Sequence, residues 1–375
     1  MSLESFAKIL ERQKILYLLL SSYRKGKTRR IQMKALKGEE LPVPKNLVFE
    51  VTQRCNLNCI MCWYRFCNTE NEFPELSLEQ IAFLFQKILK PYKIRTCYLT
   101  GSEPFIRDDL EEIIKIITKE NILVSIQTNG TLLTENRLQK LEKYKRRIAS
   151  IDFSFDGFED THDLIRGEKG VFAKAYHNFK LCGRFDIKSA VSFVILNENL
   201  NEMENILDIF NFPHLRFIDF SLVVNSSEEE ISESLRIMGL DKKILNITAK
   251  EKLNYSFPLE MLEEYLKRTI QKGNVLGTNV FYTPQSLYPY LRHIYMGDIR
   301  KYVSLTCGVF GNFRITPDGF VIHCPFIRKR FGDLFKESVK EIWNKKDFRK
   351  LRQVLLEQNL LPICKRCCKL QLRTS

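Results

Sequence analysis

No hydrophobic run in these 375 residues approaches the length of a membrane-spanning helix, which needs about 20 consecutive apolar positions. The stretch Ile15 to Leu20 is too brief. No small-residue cleavage site follows it, so a secretory signal is not expected. No internal repeat or low-complexity tract stands out, which argues against a repeat array. The 11 cysteines are an odd number and cluster at the two ends of the core region. That distribution argues against a secreted disulfide framework and for metal ligation in a reducing, cytoplasmic setting.

What is present is a basic chain with a net charge of +14. Much of the excess lies between Lys8 and Lys45, including Arg24, Lys25, Lys27, Arg29 and Arg30. Such a run attracts anionic substrates, peptide leaders, nucleic acid or membrane surfaces, or else forms a solvated arm. Within Leu3 to Tyr23, Phe6, Ile9, Leu10, Ile15, Leu18 and Leu19 recur at helical spacing. An amphipathic helix followed by basic residues suits a membrane interface, or packs onto the domain behind it.

From Asn46 onward strand-like and helix-like blocks alternate. The expected strands are 47–52, 94–100, 123–128, 148–155, 188–196 and 216–223. The expected helices are 77–90, 110–120, 134–144, 171–182 and 201–210, the first opened by a Ser77/Gln80 capping box. This alternation predicts βαβ units on a parallel sheet, an α/β fold. Ligands in such sheets bind at the C-terminal strand ends. Residues 225–305 break the rhythm with a polar stretch from Ser226, a helix near 258–271 and a Tyr- and Pro-rich loop-and-helix insert over 282–302.

Cys55, Cys59 and Cys62 follow the first strand with spacing Cys-x3-Cys-x2-Cys. Three thiolates on one short loop suit three irons of a [4Fe–4S] cluster and leave the fourth iron open. A structural zinc loop is the rival, although zinc usually draws paired Cys-x2–4-Cys knuckles. The pattern resembles the radical S-adenosylmethionine (SAM) enzymes. The resemblance implies that SAM chelates the open iron and is cleaved reductively to a 5′-deoxyadenosyl radical, which abstracts a substrate hydrogen. It also implies a partial (β/α)6, TIM-like barrel.

Further motifs extend the resemblance. Thr100-Gly101-Ser102-Glu103-Pro104 is similar to the family's Gly-Gly-Glu-Pro segment, with Ser102 replacing the second glycine. The resemblance puts Gly101, Ser102 and Glu103 at the SAM amino group, and Ser154 and Asp156 at its ribose. Arg166 would take its carboxylate through a guanidinium fork. Asn129, in Gln127-Thr-Asn129-Gly130, faces the same mouth, and Met61 takes the position beside adenine. Val194 and Ile195 either contact adenine or belong to the core.

A second cysteine set comprises Cys307, Cys324, Cys364, Cys367 and Cys368. Residues 313–324 read as a β-hairpin turned at Pro317-Asp318-Gly319. With Phe331-Gly332-Asp333 and Trp343 downstream, this resembles the twitch or SPASM extension, which carries auxiliary [4Fe–4S] clusters. The sequence contains fewer cysteines here than the full SPASM pattern. The expectation is therefore one auxiliary cluster on Cys307, Cys324, Cys364 and Cys367, a saturated site suited to electron transfer. A four-thiolate zinc knuckle remains the alternative. Cys97 and Cys182 read as small buried hydrophobes, as does Cys67.

The expected organisation is a basic N-terminal segment (1–45), a radical SAM core (46–224), a barrel-closing helix and substrate-side insert (225–305) and a small hairpin-plus-helix iron–sulfur domain (306–375). The expected partners are SAM, a flavodoxin- or ferredoxin-type reductase and an unidentified substrate, with peripheral membrane contact through the N-terminal segment. Because 45 residues are short for a leader-recognition domain, the reading favours a small molecule, sugar or lipid over a peptide. A peptide-modifying maturase is the alternative, and a non-catalytic zinc or nucleic-acid-binding protein is the reading from another class. Nucleic acid is not an expected partner, and no residue is nominated as the substrate acid or base.

Overall fold

The computed structural model describes residues 26–62, 74–241, 258–284 and 289–373. The amphipathic segment 3–23 and Cys67 lie outside the described residues. Among the described residues, no helix is long and apolar enough to cross a membrane.

The strands are β1 Asn46–Thr52, β2 Thr96–Gly101, β3 Leu123–Thr128, β4 Ile148–Ser154, β5 Ser189–Ile195, β6 Leu215–Leu222 and β7 Val280–Thr283. Each pairs in parallel with the next. Six had been expected; β7 is the addition, from a stretch whose Tyr and Pro content masked its short apolar core. The crossover helices bury one stripe each. In Leu110–Lys119 the buried stripe is Leu110, Ile113, Ile114 and Ile117, spaced to face the sheet. Truncating Ile114 to Ala would cost about 2–5 kcal/mol through lost transfer and the cavity left behind. Phe153, Phe155, Phe179 and Phe210 form an aromatic knot between β4 and its covering helices, with centroids 4.6–6.2 Å apart.

Three helix expectations change. The Ser77/Gln80 capping box is present, but helix Leu78–Phe83 widens into a π-type turn over Leu84–Ile88 before Pro91. The expected helix 201–210 is a 3-10 turn, Asn197–Glu202, and a short helix, Ile206–Ile209. The polar stretch after Ser226 is helical over Glu228–Met238, opened by a Ser227/Glu230 capping box.

The C-terminal strands are β8 Leu305–Cys307, β9 Asn312–Ile315, β10 Phe320–Ile322, β11 Arg330–Asp333 and β12 Leu370–Leu372. β9 and β10 form the expected hairpin, turned where Gly319 has φ +86° and a Cβ would stand 2.8 Å from the Phe335 ring. The hairpin joins the large sheet: β9 pairs in parallel with β1, giving the order β11-β10-β9-β1-β2-β3-β4-β5-β6-β7. β12 pairs with β8 and sets Leu370 opposite Cys307. Segments far apart in sequence, β1 and β9, thus lie side by side.

Candidate functional site

The strand ends surround a cavity of about 1450 Å³. Cys55, Cys59, Met61, Cys62, Gly101, Ser102, Asn129, Ser154 and Arg166 line it, and so do Cys307, Cys324, Cys364 and Cys367. Of the residues expected at the site, Glu103 and Asp156 are not in the cavity wall.

The loop carrying Cys55, Cys59 and Cys62 is laced down from three sides. Ser102 donates its hydroxyl to the Gln53 carbonyl at 2.8 Å, and its N–H to the Thr52 carbonyl at 3.2 Å. Gly101 has φ +125°, and a Cβ there would stand 2.2 Å from the Thr52 oxygen. Asn129 donates Nδ2 to Asn56 Oδ1 at 3.0 Å, and the Ile60 N–H reaches the Ile165 carbonyl at 2.9 Å.

Glu103 lies fully buried behind this wall. It accepts from the Phe105 N–H at 3.0 Å, the Thr128 hydroxyl at 2.8 Å and the Asn129 N–H at 2.6 Å. Burial pushes its pKa up, with these three donors working the other way. A carboxylate has about four acceptor positions, so the three bonds leave one. Asp156 is also fully buried. Its Oδ1 accepts from the Val194 N–H at 2.8 Å, and its Oδ2 pairs with Arg166. Its carboxylate therefore addresses the arginine rather than the cavity.

At the opposite wall, Cys364 and Cys367 sit on a tight turn held by the Cys367 N–H to Cys364 carbonyl bond of 3.1 Å. Arg366, between them, donates to both Glu230 oxygens at 3.0 and 2.9 Å. Three sulfurs accept the N–H two residues on, each at 3.4 Å: Cys55 from Leu57, Cys324 from Phe326 and Cys367 from Lys369. Burial pushes Cys364 up to about 12 and raises Cys59 against the pull of Arg166. Such thiols become good ligands when a metal centre displaces their protons.

The donor sets fit iron–sulfur clusters: soft thiolates in two groups with N–H donors aimed at sulfur. Two buried donors next to the loop, Arg166 Nε and Gln53 Nε2, have no hydrogen-bond partner within the protein among the described residues. Both residues line the cavity, so a polar ligand has donors waiting there.

Cys368 also lines the cavity. It is hydrogen-bonded to Cys367, which raises the Cys367 pKa and lowers that of Cys368, with Lys369 adding to the lowering. Cys97 and Cys182 are buried in the core. Val194 is in the cavity wall, whereas Ile195 is buried in the core.

Sequence reasoning missed the polar floor made by Tyr98, Asp152, Ser192, Asp219, Ser221 and Lys369. Asp219 accepts the Thr283 hydroxyl at 2.5 Å, and burial raises the pKa of both Asp152 and Asp219. The missed signal was alternation: β4 and β6 carry Asp-x-Ser on the face that closed barrels fill with Val, Ile and Leu.

Comparison with known proteins agrees with this geometry. Residues 49–210 match the radical SAM superfamily, and residues 307–368 match SPASM, an iron-sulfur cluster-binding domain. The antilisterial bacteriocin subtilosin biosynthesis protein AlbA of Bacillus subtilis is 32% identical over 172 residues, 45% of this chain and 37% of that protein. Fe-coproporphyrin III synthase of Methanosarcina barkeri is 29% identical over 226 residues, 58% of this chain and 54% of that one. The chain thus spans between a third and just over half of these relatives' lengths. Streptococcus suis SuiB bound to S-adenosylmethionine has a like fold, with a TM-score of 0.64 at 15% identity over 92% of this chain and 78% of that one. Residues 49–210 are thus a radical SAM domain, and residues 307–368 are a SPASM-type iron–sulfur domain.

Proposed function

We propose that this protein is a radical SAM enzyme with two [4Fe–4S] sites, one at Cys55, Cys59 and Cys62 and an auxiliary one at Cys307, Cys324, Cys364 and Cys367. The observation that carries the reading is that both cysteine groups line one cavity together with Gly101, Ser102 and Arg166. When bound, the first cluster with SAM supplies one-electron cleavage chemistry and a hydrogen-abstracting radical.

The protein's own residues bind and orient. Gly101 lets the backbone approach without a side chain in the way, as its positive φ requires. Arg166 offers a buried Nε toward an anionic group, and Met61 and Val194 give the cavity an apolar side that suits an adenine face. Glu103 acts chiefly by holding the Asn129 N–H, with one acceptor position left for an ammonium. Asp156 acts by aiming Arg166.

The substrate is proposed to be a small molecule, sugar or lipid that reaches the polar floor around Tyr98, Asp152 and Asp219. AlbA's name supports a peptide instead, and Fe-coproporphyrin III synthase's name supports a small molecule. A flavodoxin- or ferredoxin-type donor is proposed as the electron source. Peripheral membrane contact through residues 3–23 belongs to the same proposal. Equal co-sedimentation of the full chain and a 1–30 deletion with anionic vesicles would remove it.

The test is anaerobic purification with iron and sulfide counting and a dithionite-driven SAM cleavage assay. About eight irons per chain, with 5′-deoxyadenosine formed, is the expected result. Zinc in place of iron, with no 5′-deoxyadenosine, would overturn the reading.

A further inference from the structure

The guanidinium of Arg166 is divided between two neighbours. Nη2 pairs with Asp156 Oδ2, and Nη1 donates to Sγ of Cys59 at 3.7 Å. Arg166 is 8% exposed and Asp156 is 0% exposed, so solvent screens neither charge. Asp156 is itself fixed by the Val194 N–H at 2.8 Å, and its own N–H donates to His162 Nδ1 at 3.1 Å.

The backbone locks the same geometry. Arg166 is the last residue of helix Glu159–Arg166, which ends at Gly167 with φ +78°. A Cβ at Gly167 would stand 2.9 Å from the Asn58 carbonyl oxygen. Helix end and cysteine loop therefore interlock, and the pairing with Asp156 holds the guanidinium beside Cys59. A charge-assisted donor held at one ligand sulfur is one of the levers that set an iron–sulfur centre's potential.

We propose that Arg166, aimed by Asp156, raises the reduction potential of the cluster on Cys55, Cys59 and Cys62 through its hydrogen bond to the Cys59 sulfur. This rests on the cluster reading given under Proposed function. In the redox step one electron passes from a low-potential donor to the cluster, and no bond forms or breaks. The electron adds negative charge beside a buried cation, so the reduced form gains more from Arg166 than the oxidised form does. Asp156 serves as a positioning residue, which differs from a place at the ribose.

The experiment is a mediator titration with dithionite of the full-length, iron-loaded chain and of R166K and R166Q, followed by electron paramagnetic resonance. The relevant signal is the one that changes on adding SAM. R166Q should shift the midpoint negative by about 59 mV, a tenfold loss of reduced cluster at fixed donor potential for a one-electron couple. R166K keeps the charge but loses the fork and should shift less. If R166Q fails to hold iron, R166K and its potential carry the test. Equal midpoints in loaded wild type and R166K, or in wild type and R166Q, would overturn the inference and leave the cluster reading intact. A wild-type chain that binds no iron would overturn both.

Discussion

Arg314 on the hairpin donates to Glu50 on β1 across 2.6 Å, joining residues 264 positions apart. Arg328 approaches the other oxygen of the same fully buried carboxylate at 3.0 Å. Glu50 sits on the strand that leads into Cys55, while Arg314 and Arg328 flank Cys324 in the chain. One carboxylate thus anchors the spacing between the two cysteine groups.

Glu50→Ala should destabilise the protein by about 3–5 kcal/mol, because it removes the buried carboxylate that pairs with two part-buried guanidiniums. Denaturant unfolding of the anaerobic protein measures this. A change below about 1 kcal/mol would mean that the arginines find other partners.

The same group sets an acid limit. Burial works against ionisation of Glu50, but Arg328 and Arg314 outweigh it and hold the pKa below the ordinary glutamate value. A carboxylate whose pKa falls on folding adds stability above its unfolded pKa and loses it as pH drops through the folded value. Wild type should therefore lose stability below about pH 4.3 more steeply than Glu50→Gln. Parallel pH curves from equilibrium unfolding would count against it.

Gly101→Ala combines a forbidden φ with a Cβ placed 2.2 Å from the Thr52 oxygen. A loss of roughly 2–4 kcal/mol is expected, with SAM binding weakened as the turn is displaced. Calorimetric SAM titration beside thermal unfolding would check both, and unchanged affinity would separate the turn from the ligand.

Cys367 and Cys368 should differ. Cys367 carries the N–H···S bond from Lys369 at 3.4 Å and matches the spacing from Cys364. Cys367→Ala should drop iron from about eight to about four per chain, while Cys368→Ala keeps about eight. The reverse result would reassign the fourth auxiliary ligand.

Much of the site was readable because its chemistry is local. Cys55, Cys59 and Cys62 share one loop, Gly101 to Pro104 share one turn, and neither needs a distant partner to be recognised. The resemblance of Thr100–Pro104 and of the β4 end to the family's motifs implied Glu103 and Asp156 at the ligand. Their burial against Asn129 and Arg166 follows from side-chain packing, which motif spacing does not encode. Helix Glu228–Met238 opens on three acidic residues, which read as a polar stretch, and β7 is a four-residue strand that carries little periodicity.

Alternating period and cysteine spacing determined that this chain makes a parallel α/β sheet with thiolate loops at its C-terminal edge, since both are short-range properties. Tertiary structure decided that β9 adds to β1, that β12 sets Leu370 beside Cys307, and that both cysteine groups open onto one cavity. Those outcomes depend on pairing between residues far apart in the chain, where burial of Glu50 between two arginines and closure of the strand ladder choose among arrangements that local preference leaves equal.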